Sequence, residues 1–306
     1  MIPIRPLYSA ANLAAGGCES IHRRATFLLQ GSGMYFPRSR PNLIERKTNT
    51  YTESTGSTAA EDLPSPDANA FIDTSGLSSV ESKAAFFDVD GTVCKTNVVL
   101  AYFSARVEEL AVWVRLVWVP YFILTCVLYL IVDWFHRPTF NRIFYMSYRG
   151  RTVESKAALA KIIYTKYYKP RIFKDAAAII KRLKAEGFKI VLVTGSLDFL
   201  VAPLAEDLDA DHVYAAEIIE ENGRLTGKLK GMYASNDEKA LRVQDFAREH
   251  GMSLSNCLGF GDSIADLPML EIVGRAYVVN PDARLRAIAL RRGWPVMQWM
   301  LAPAKL

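Results

Sequence analysis

"AAFFDVDGTVCKTN" (84–97) decides how the rest of the chain is read. Four apolar residues run straight into Asp88-Val89-Asp90-Gly91-Thr92. A short continuous apolar run bounded by turn residues suits a strand buried on both faces. In extended chain, residues two apart point the same way, so Asp88 and Asp90 can face one spot beyond the strand's carboxyl end. In open α/β sheets the ligand crevice lies there. Gly91 lets the backbone turn, and Thr92 can bond back into the loop. A plain alternative is an acidic strand end that only caps the next turn of chain.

Working outward, short apolar runs alternate with amphipathic stretches. The pattern predicts strands at Ala84–Asp88, Lys189–Thr194, His212–Ala215, Asn256–Phe260 and Arg275–Val279. It predicts helices over Phe173–Glu186 and Glu238–His250, each closed by a glycine suited to a left-handed C-terminal cap. Buried strands alternating with helices indicate an α/β fold with a doubly wound parallel sheet. "EIIEENGRLTGKL" (217–229) interrupts it with a hairpin signal at Asn222-Gly223. About a hundred residues separate the first two strands, more than one crossover helix needs. An inserted helical cap is therefore expected over about 97–172.

Other strand ends bring matching chemistry. "KIVLVTGS" runs out into Thr194-Gly195-Ser196, whose hydroxyl and glycine amide suit an anionic oxygen. "GFGDSIADLPML" supplies Asp262 and, four residues on, Asp266. Four carboxylates at one edge repel one another and call for a cation. Oxygen donors with few His or Cys indicate a hard ion such as Mg²⁺. Lys239 sits in the first turn of a helix where Ser235 and Glu238 could form a capping box, so it opposes the helix dipole. A residue that breaks a local rule points to function.

With these elements in this order, the chain resembles the haloacid dehalogenase (HAD) superfamily, and within it the phosphoserine-phosphatase-like subgroup. The matching motifs are D-x-D-G-T (88–92), V-T-G-S (193–196), Lys239 and G-D-S-x-x-D (261–266). The resemblance covers about 84–300. It implies a phosphomonoester hydrolase with Asp88 as nucleophile, forming an aspartyl-phosphate, and Asp90 as general acid and then base. It implies Mg²⁺ held by Asp88, Asp262 and the Asp90 carbonyl, with Asp266 behind them, orienting water and pairing with Lys239. Thr194, the Gly195 amide and Lys239 would hold phosphoryl oxygens. One departure concerns the substrate. The subgroup's phosphoserine phosphatases carry a glutamate nine residues after the nucleophile, and Asn97 stands there in this chain.

The remaining sequence bounds partners and location. A net charge of +5 over 306 residues, without a basic stripe interleaved with aromatics, does not favour nucleic acid. Cys18, Cys94, Cys126 and Cys257 form no C-x-x-C and suit neither a zinc site nor a disulfide framework. Residues 1–44 hold one acid, Glu19, against five arginines, the composition of a plastid or mitochondrial transit peptide; a tail without an address is the alternative. Residues 45–81 are rich in Ser, Thr, Pro and Asp and read as a disordered linker, with folded structure starting near Ser82.

Inside the cap, "LVWVPYFILTCVLYLIV" (116–132) is uncharged. As a helix it would be ~25 Å long, slightly short of a bilayer's hydrocarbon core. Pro120 would bend it or start it. Two readings stand: a helix buried in the cap, or a cap whose stretch 110–132 meets a membrane and admits a lipid phosphate such as phosphatidylglycerophosphate or lysophosphatidate. The alternatives to lipid hydrolysis are a phosphatase for phosphoserine or another small metabolite, and a non-catalytic phosphate-binding regulatory module.

Overall fold

The computed structural model describes residues 72–77, 82–135, 137–231 and 236–301. The transit-peptide expectation and Ser235 lie outside these residues, as does most of the expected linker. Strand β1 (Lys83–Phe87) lies inside a six-stranded parallel sheet with β2 (Phe188–Leu197), β3 (His212–Ala216), β6 (Leu258–Gly261), β7 (Arg275–Val279) and β8 (Val296–Met297). The strand order is β3-β2-β1-β6-β7-β8. The hairpin β4 (Ile218–Glu221) and β5 (Arg224–Leu229) stands apart from the sheet. Its turn residues Asn222 and Gly223 both have positive φ, 51° and 70°, as a two-residue hairpin turn requires.

β1 shows why the sheet is buried on both sides. Ala85 and Phe87 face one core, where Phe87 stacks on Phe260 at 4.3 Å. Ala84 and Phe86 face the other, where Phe86 meets Phe246 edge-on at 5.8 Å. Helices supply the covering layers. α5 (Lys174–Ala185) buries Ala176, Ile179, Ile180 and Leu183 against the first core, a helical spacing of three and four. α7 (Asn236–Glu249) buries Val243 and Phe246 in the second, joined by α8 (Leu267–Ile272) and α9 (Ala283–Arg292). α6 (Asp198–Asp207) packs on the first face through Leu200, Val201 and Leu204.

Between β1 and α5 the chain forms α1 (Val98–Glu109), α2 (Val112–Phe135), α3 (Arg137–Tyr145) and α4 (Ser155–Ile163). It leaves and returns at one point. Cys94 bridges Ile172, Lys95 N donates to Arg171 O at 2.8 Å, and Phe173 N to Val93 O at 3.0 Å. The β4–β5 hairpin belongs with this insertion. Gly150 N donates to Leu225 O, and Leu225 N to Arg151 O, each at 2.8 Å. A Cβ on Gly227, at φ +76°, would lie 2.8 Å from Met146 Cα, so glycine is what lets the hairpin seat on the cap.

Several expectations change. The second strand does not stop at Thr194 but continues to Leu197, with its pairing to β3 irregular between Val193 and Leu197. The short edge strand β8 follows Pro295 and is too brief to carry an apolar period. Residues 72–77, expected in the linker, pack against β7 and α5. Ile72 is buried, Tyr277 donates its hydroxyl to Asp73 O at 3.1 Å, and Arg275 donates to the carbonyls of Asp73 and Ser75. Pro120 does not start the long cap helix. α2 begins at Val112 and runs through it. Nor is that helix simply buried. Phe122 is 5% exposed, whereas Leu116, Val117 and Leu124 are 72–75% exposed. A run apolar on all sides gives no sequence cue to which side is covered. Among the described residues, no helix is long and apolar enough to cross a membrane. Cys94, Cys126 and Cys257 are free thiols.

Candidate active site

The site lies at the carboxyl ends of β1, β2 and β6, which neighbour one another in the sheet. Asp88 comes directly after β1, and its amide donates to Phe260 O at 3.0 Å, continuing the strand pairing for one more residue. The chain then folds back. Val93 N and Cys94 N donate to Val89 O at 3.0 and 2.9 Å, and Gly91 N donates to Cys94 O at 2.8 Å. Gly91 has φ +107°, where L side chains are strained, and a Cβ there would lie 2.1 Å from Asp262 Oδ2. The glycine therefore allows the β1 loop and the β6 loop to touch.

Asp88, Asp262 and Asp266 each offer an oxygen, and the three oxygens lie within 4.8 Å of one another. Lys239 reaches into them from α7. Its Nζ donates to Asp88 Oδ1 at 2.5 Å and to Asp266 Oδ1 at 2.6 Å. The first-turn lysine that opposes its own helix dipole is thus held by two carboxylates. Asp266 is fully buried and uses both oxygens: Oδ2 accepts from Asp262 N, Ser263 N and Ser263 Oγ at 3.0–3.1 Å. It fixes the loop that carries Asp262 and anchors Lys239. Thr92, fully buried, donates to Asp262 Oδ1 at 3.4 Å.

The electrostatics stem from burial and crowding. Burial, opposed by Lys239 and reinforced by Asp266, pushes Asp88 up to about 7. Burial and the charges of Asp88 and Asp266 push Asp262 up to about 9. Asp266 goes the other way: burial would raise it, but Lys239 and the hydrogen bonds hold it below the usual carboxylate range. Lys239 is raised, its burial outweighed by Asp266 and Asp88. Asp88 and Asp262 thus lack neutralising charge that Lys239 alone does not supply. An all-oxygen cluster short of positive charge fits a hard divalent cation.

The fourth acid, Asp90, is near enough for its charge to raise Asp88 and Asp262. Its carboxylate lies outside the three whose oxygens converge within 4.8 Å and accepts from hydroxyls instead. Thr96 Oγ1 donates to its Oδ1 at 2.8 Å and Ser196 Oγ to its Oδ2 at 2.5 Å. Ser196 lies 3.3 Å from the hydroxyl of Tyr168, a fully buried cap residue. Asp90 is therefore oriented by both the sheet and the cap. Thr194 is buried, and its Oγ1 accepts from Ser196 N at 3.0 Å, an arrangement in which its own O–H stays a donor. The Gly195 carbonyl accepts from Tyr145, while a Cβ on Gly195 would meet nothing within 4 Å. Thr96 and Tyr145 carry no sequence signal, Tyr168 reads only as lining a groove or a core, and Ser196 enters only as part of the V-T-G-S motif. Ser196 was within reach, since it lies two residues past Thr194 in an extended strand. Tyr145 and Tyr168 depend on contacts between cap and sheet.

Asn97 has a local task. It is exposed, and its Oδ1 accepts from Val99 N at 2.9 Å as the N-terminal cap of α1. The structure thus gives its amide a helix to cap.

Comparison with known proteins adds to this geometry. A family model described as haloacid dehalogenase-like hydrolase matches residues 85–271. An "inhibition of morphological differentiation protein" of Streptomyces azureus is 39% identical over 131 residues, 42% of this chain and 47% of that protein. A phosphoserine phosphatase of Mycobacterium tuberculosis is 31% identical over 153 residues, half of each chain. The chain spans about half the length of these curated relatives. Among solved structures, a Bordetella pertussis protein of unknown function superposes with a TM-score of 0.62 at 23% identity, covering 71% of this chain and 98% of its own. A substrate-bound phosphoserine phosphatase superposes with a TM-score of 0.54 at 19% identity, covering 71% and 93%. These structures share the fold. With the family match spanning β1 through α8 and every strand end that carries the acids, the chain belongs to the haloacid dehalogenase-like hydrolases.

Proposed function

We propose that the protein hydrolyses phosphomonoesters through a covalent aspartyl-phosphate. The observation that carries this is the cluster of Asp88, Asp262 and Asp266 within 4.8 Å, bridged by Lys239. Asp88 attacks phosphorus, and the bond to the leaving oxygen breaks as Asp90 donates its proton. Asp90 then takes a proton from water, which attacks the same phosphorus and releases phosphate, restoring Asp88. Thr96 and Ser196 hold Asp90 for both proton transfers. Thr194 and the Gly195 amide would receive phosphoryl oxygens, and Lys239 adds positive charge beside Asp88. Magnesium, which Asp88, Asp262 and the Asp90 carbonyl would hold, supplies charge neutralisation in the transition state.

The substrate is the second question. In place of an acid that could pair with phosphoserine's ammonium stands the capping amide of Asn97. A lipid phosphate is favoured over phosphoserine by the exposed apolar side of α2 in the cap. The test is phosphate release by the full chain with Mg²⁺ from phosphoserine, glycerol phosphate and phosphatidylglycerophosphate in mixed micelles. The expected result is turnover of the lipid above the other two, abolished by Asp88→Asn. Preference for phosphoserine would refute the lipid reading, and release indifferent to Asp88→Asn would refute hydrolysis at this site.

A further inference from the structure

α2 has two unlike sides. Trp118 and Phe122 turn inward, stacking on each other at 4.8 Å and on Phe103 of α1 at 5.4–5.8 Å between ring centroids. On the other side Trp113, Leu116, Val117, Tyr121, Leu124 and Val127 succeed one another at helical spacing, each at least 52% exposed. No charge interrupts this stripe. Arg115, the nearest, folds back to donate from Nε to Leu110 O at 2.8 Å. A contiguous exposed apolar patch of this kind marks an interaction surface.

Charge decides what covers it. The cap, 97–172, holds eleven Lys and Arg against four Asp and Glu, an excess of seven. The whole chain carries only +5, so the remainder is slightly acidic and the positive charge is concentrated on the element that bears the stripe. Arg142, on α3 packed against α2, and Arg149 are exposed. Pairing this surface with a second copy would bring two cationic caps together. An anionic bilayer surface satisfies both features, since an interfacial helix buries its apolar side among acyl chains while basic residues meet the headgroups.

We propose that the cap docks on anionic membrane surfaces, with the exposed side of α2 lying in the interface rather than crossing it. The lipid-phosphate substrate rests on the hydrolase reading; the docking itself does not. The experiment is co-sedimentation of the full chain with vesicles of phosphatidylcholine, alone or with about 30 mol % phosphatidylglycerol. Asp88→Asn and the double variant Leu116→Glu/Leu124→Glu run alongside. Thermal midpoints and turnover of p-nitrophenyl phosphate report folding, and light scattering reports oligomeric state. The expected result is binding that requires phosphatidylglycerol and weakens with salt. It should persist in Asp88→Asn and fall roughly tenfold or more in the double variant. The double variant should keep the parent's thermal midpoint. Failure of the parent to bind either vesicle would overturn the proposal, as would equal binding by the double variant. Equal binding to both vesicle types would overturn the charge argument. A dimer that the double variant splits, without vesicle binding, would assign the face to a second copy instead. Because binding is read without turnover, an inactive protein that docks separates the two readings.

Discussion

Replacing Lys239 with Met removes, among the described residues, the side-chain cation bonded to both Asp88 and Asp266. Its Nζ contacts are 2.5 and 2.6 Å, and its side chain is 16% exposed, so solvent screens the pair little. Breaking a buried ion pair from one side costs about 3–5 kcal/mol, because the partner charge stays behind. For a unit of this size, that lowers the midpoint of thermal unfolding by roughly 6–20 °C. The loss depends on pH. Lys239 is raised above its ordinary value, so its contribution is complete across the neutral range. Asp266 is depressed by it, so that stabilisation is present above about pH 4, the ordinary carboxylate value, and lost as pH falls below. Asp88, already pushed up to about 7, rises further without Lys239 and escapes the penalty at low pH by taking a proton. The full loss is therefore expected near pH 8 and a smaller one near pH 5, where only the pairing with Asp266 is left to lose. Thermal scans in EDTA at the two pH values measure it. A variant equally destabilised at both, or more stable at pH 8, would refute the reasoning.

Three further outcomes rest on the same geometry. Gly91→Ala should destabilise by about 1–3 kcal/mol from backbone strain at φ +107° and cut turnover more steeply, since the new Cβ displaces Asp262; unchanged turnover in a folded variant would contradict this. Ser196→Ala, which removes a donor to Asp90, should lower kcat about tenfold with little change in KM, and equal kcat would show Asp90 positioned without it. Mg²⁺ should raise the thermal midpoint increasingly with pH. The raised carboxyls of Asp88 and Asp262 favour the folded state below about pH 4, and that advantage is lost as pH rises through about 7 and then about 9. A Mg²⁺ effect that is flat or falls across that window in thermal scans would refute the charge deficit.

The motif residues were legible because each obeys a local rule or breaks one. Asp88 ends a buried strand, Gly91 takes a positive φ, and Lys239 defies its helix dipole while meeting Asp88 across 151 positions. What the sequence hid is set by contacts with no local signature. The hydroxyls that hold Asp90 stand 6 and 106 residues away, with nothing in the motif to name them. The hairpin at Asn222-Gly223 was readable from its turn, but its seat on the cap depends on the space at Gly227 beside Met146. Asn97 looked like a specificity position from its distance to the nucleophile, while the structure gives its side chain a helix to cap. In α2, composition showed an apolar run but not its covered side, which is chosen by Phe103 packing against Trp118 and Phe122.

The most direct test of the account is to trap the phosphoryl group. The full chain with Mg²⁺ would be mixed with a turning-over phosphomonoester, quenched in acid within a single turnover, and its peptides read by mass spectrometry. A phosphoryl group on Asp88, absent in Asp88→Asn, is the predicted result. Turnover that leaves Asp88 unmodified, or that survives Asp88→Asn, would contradict nucleophilic attack by this residue.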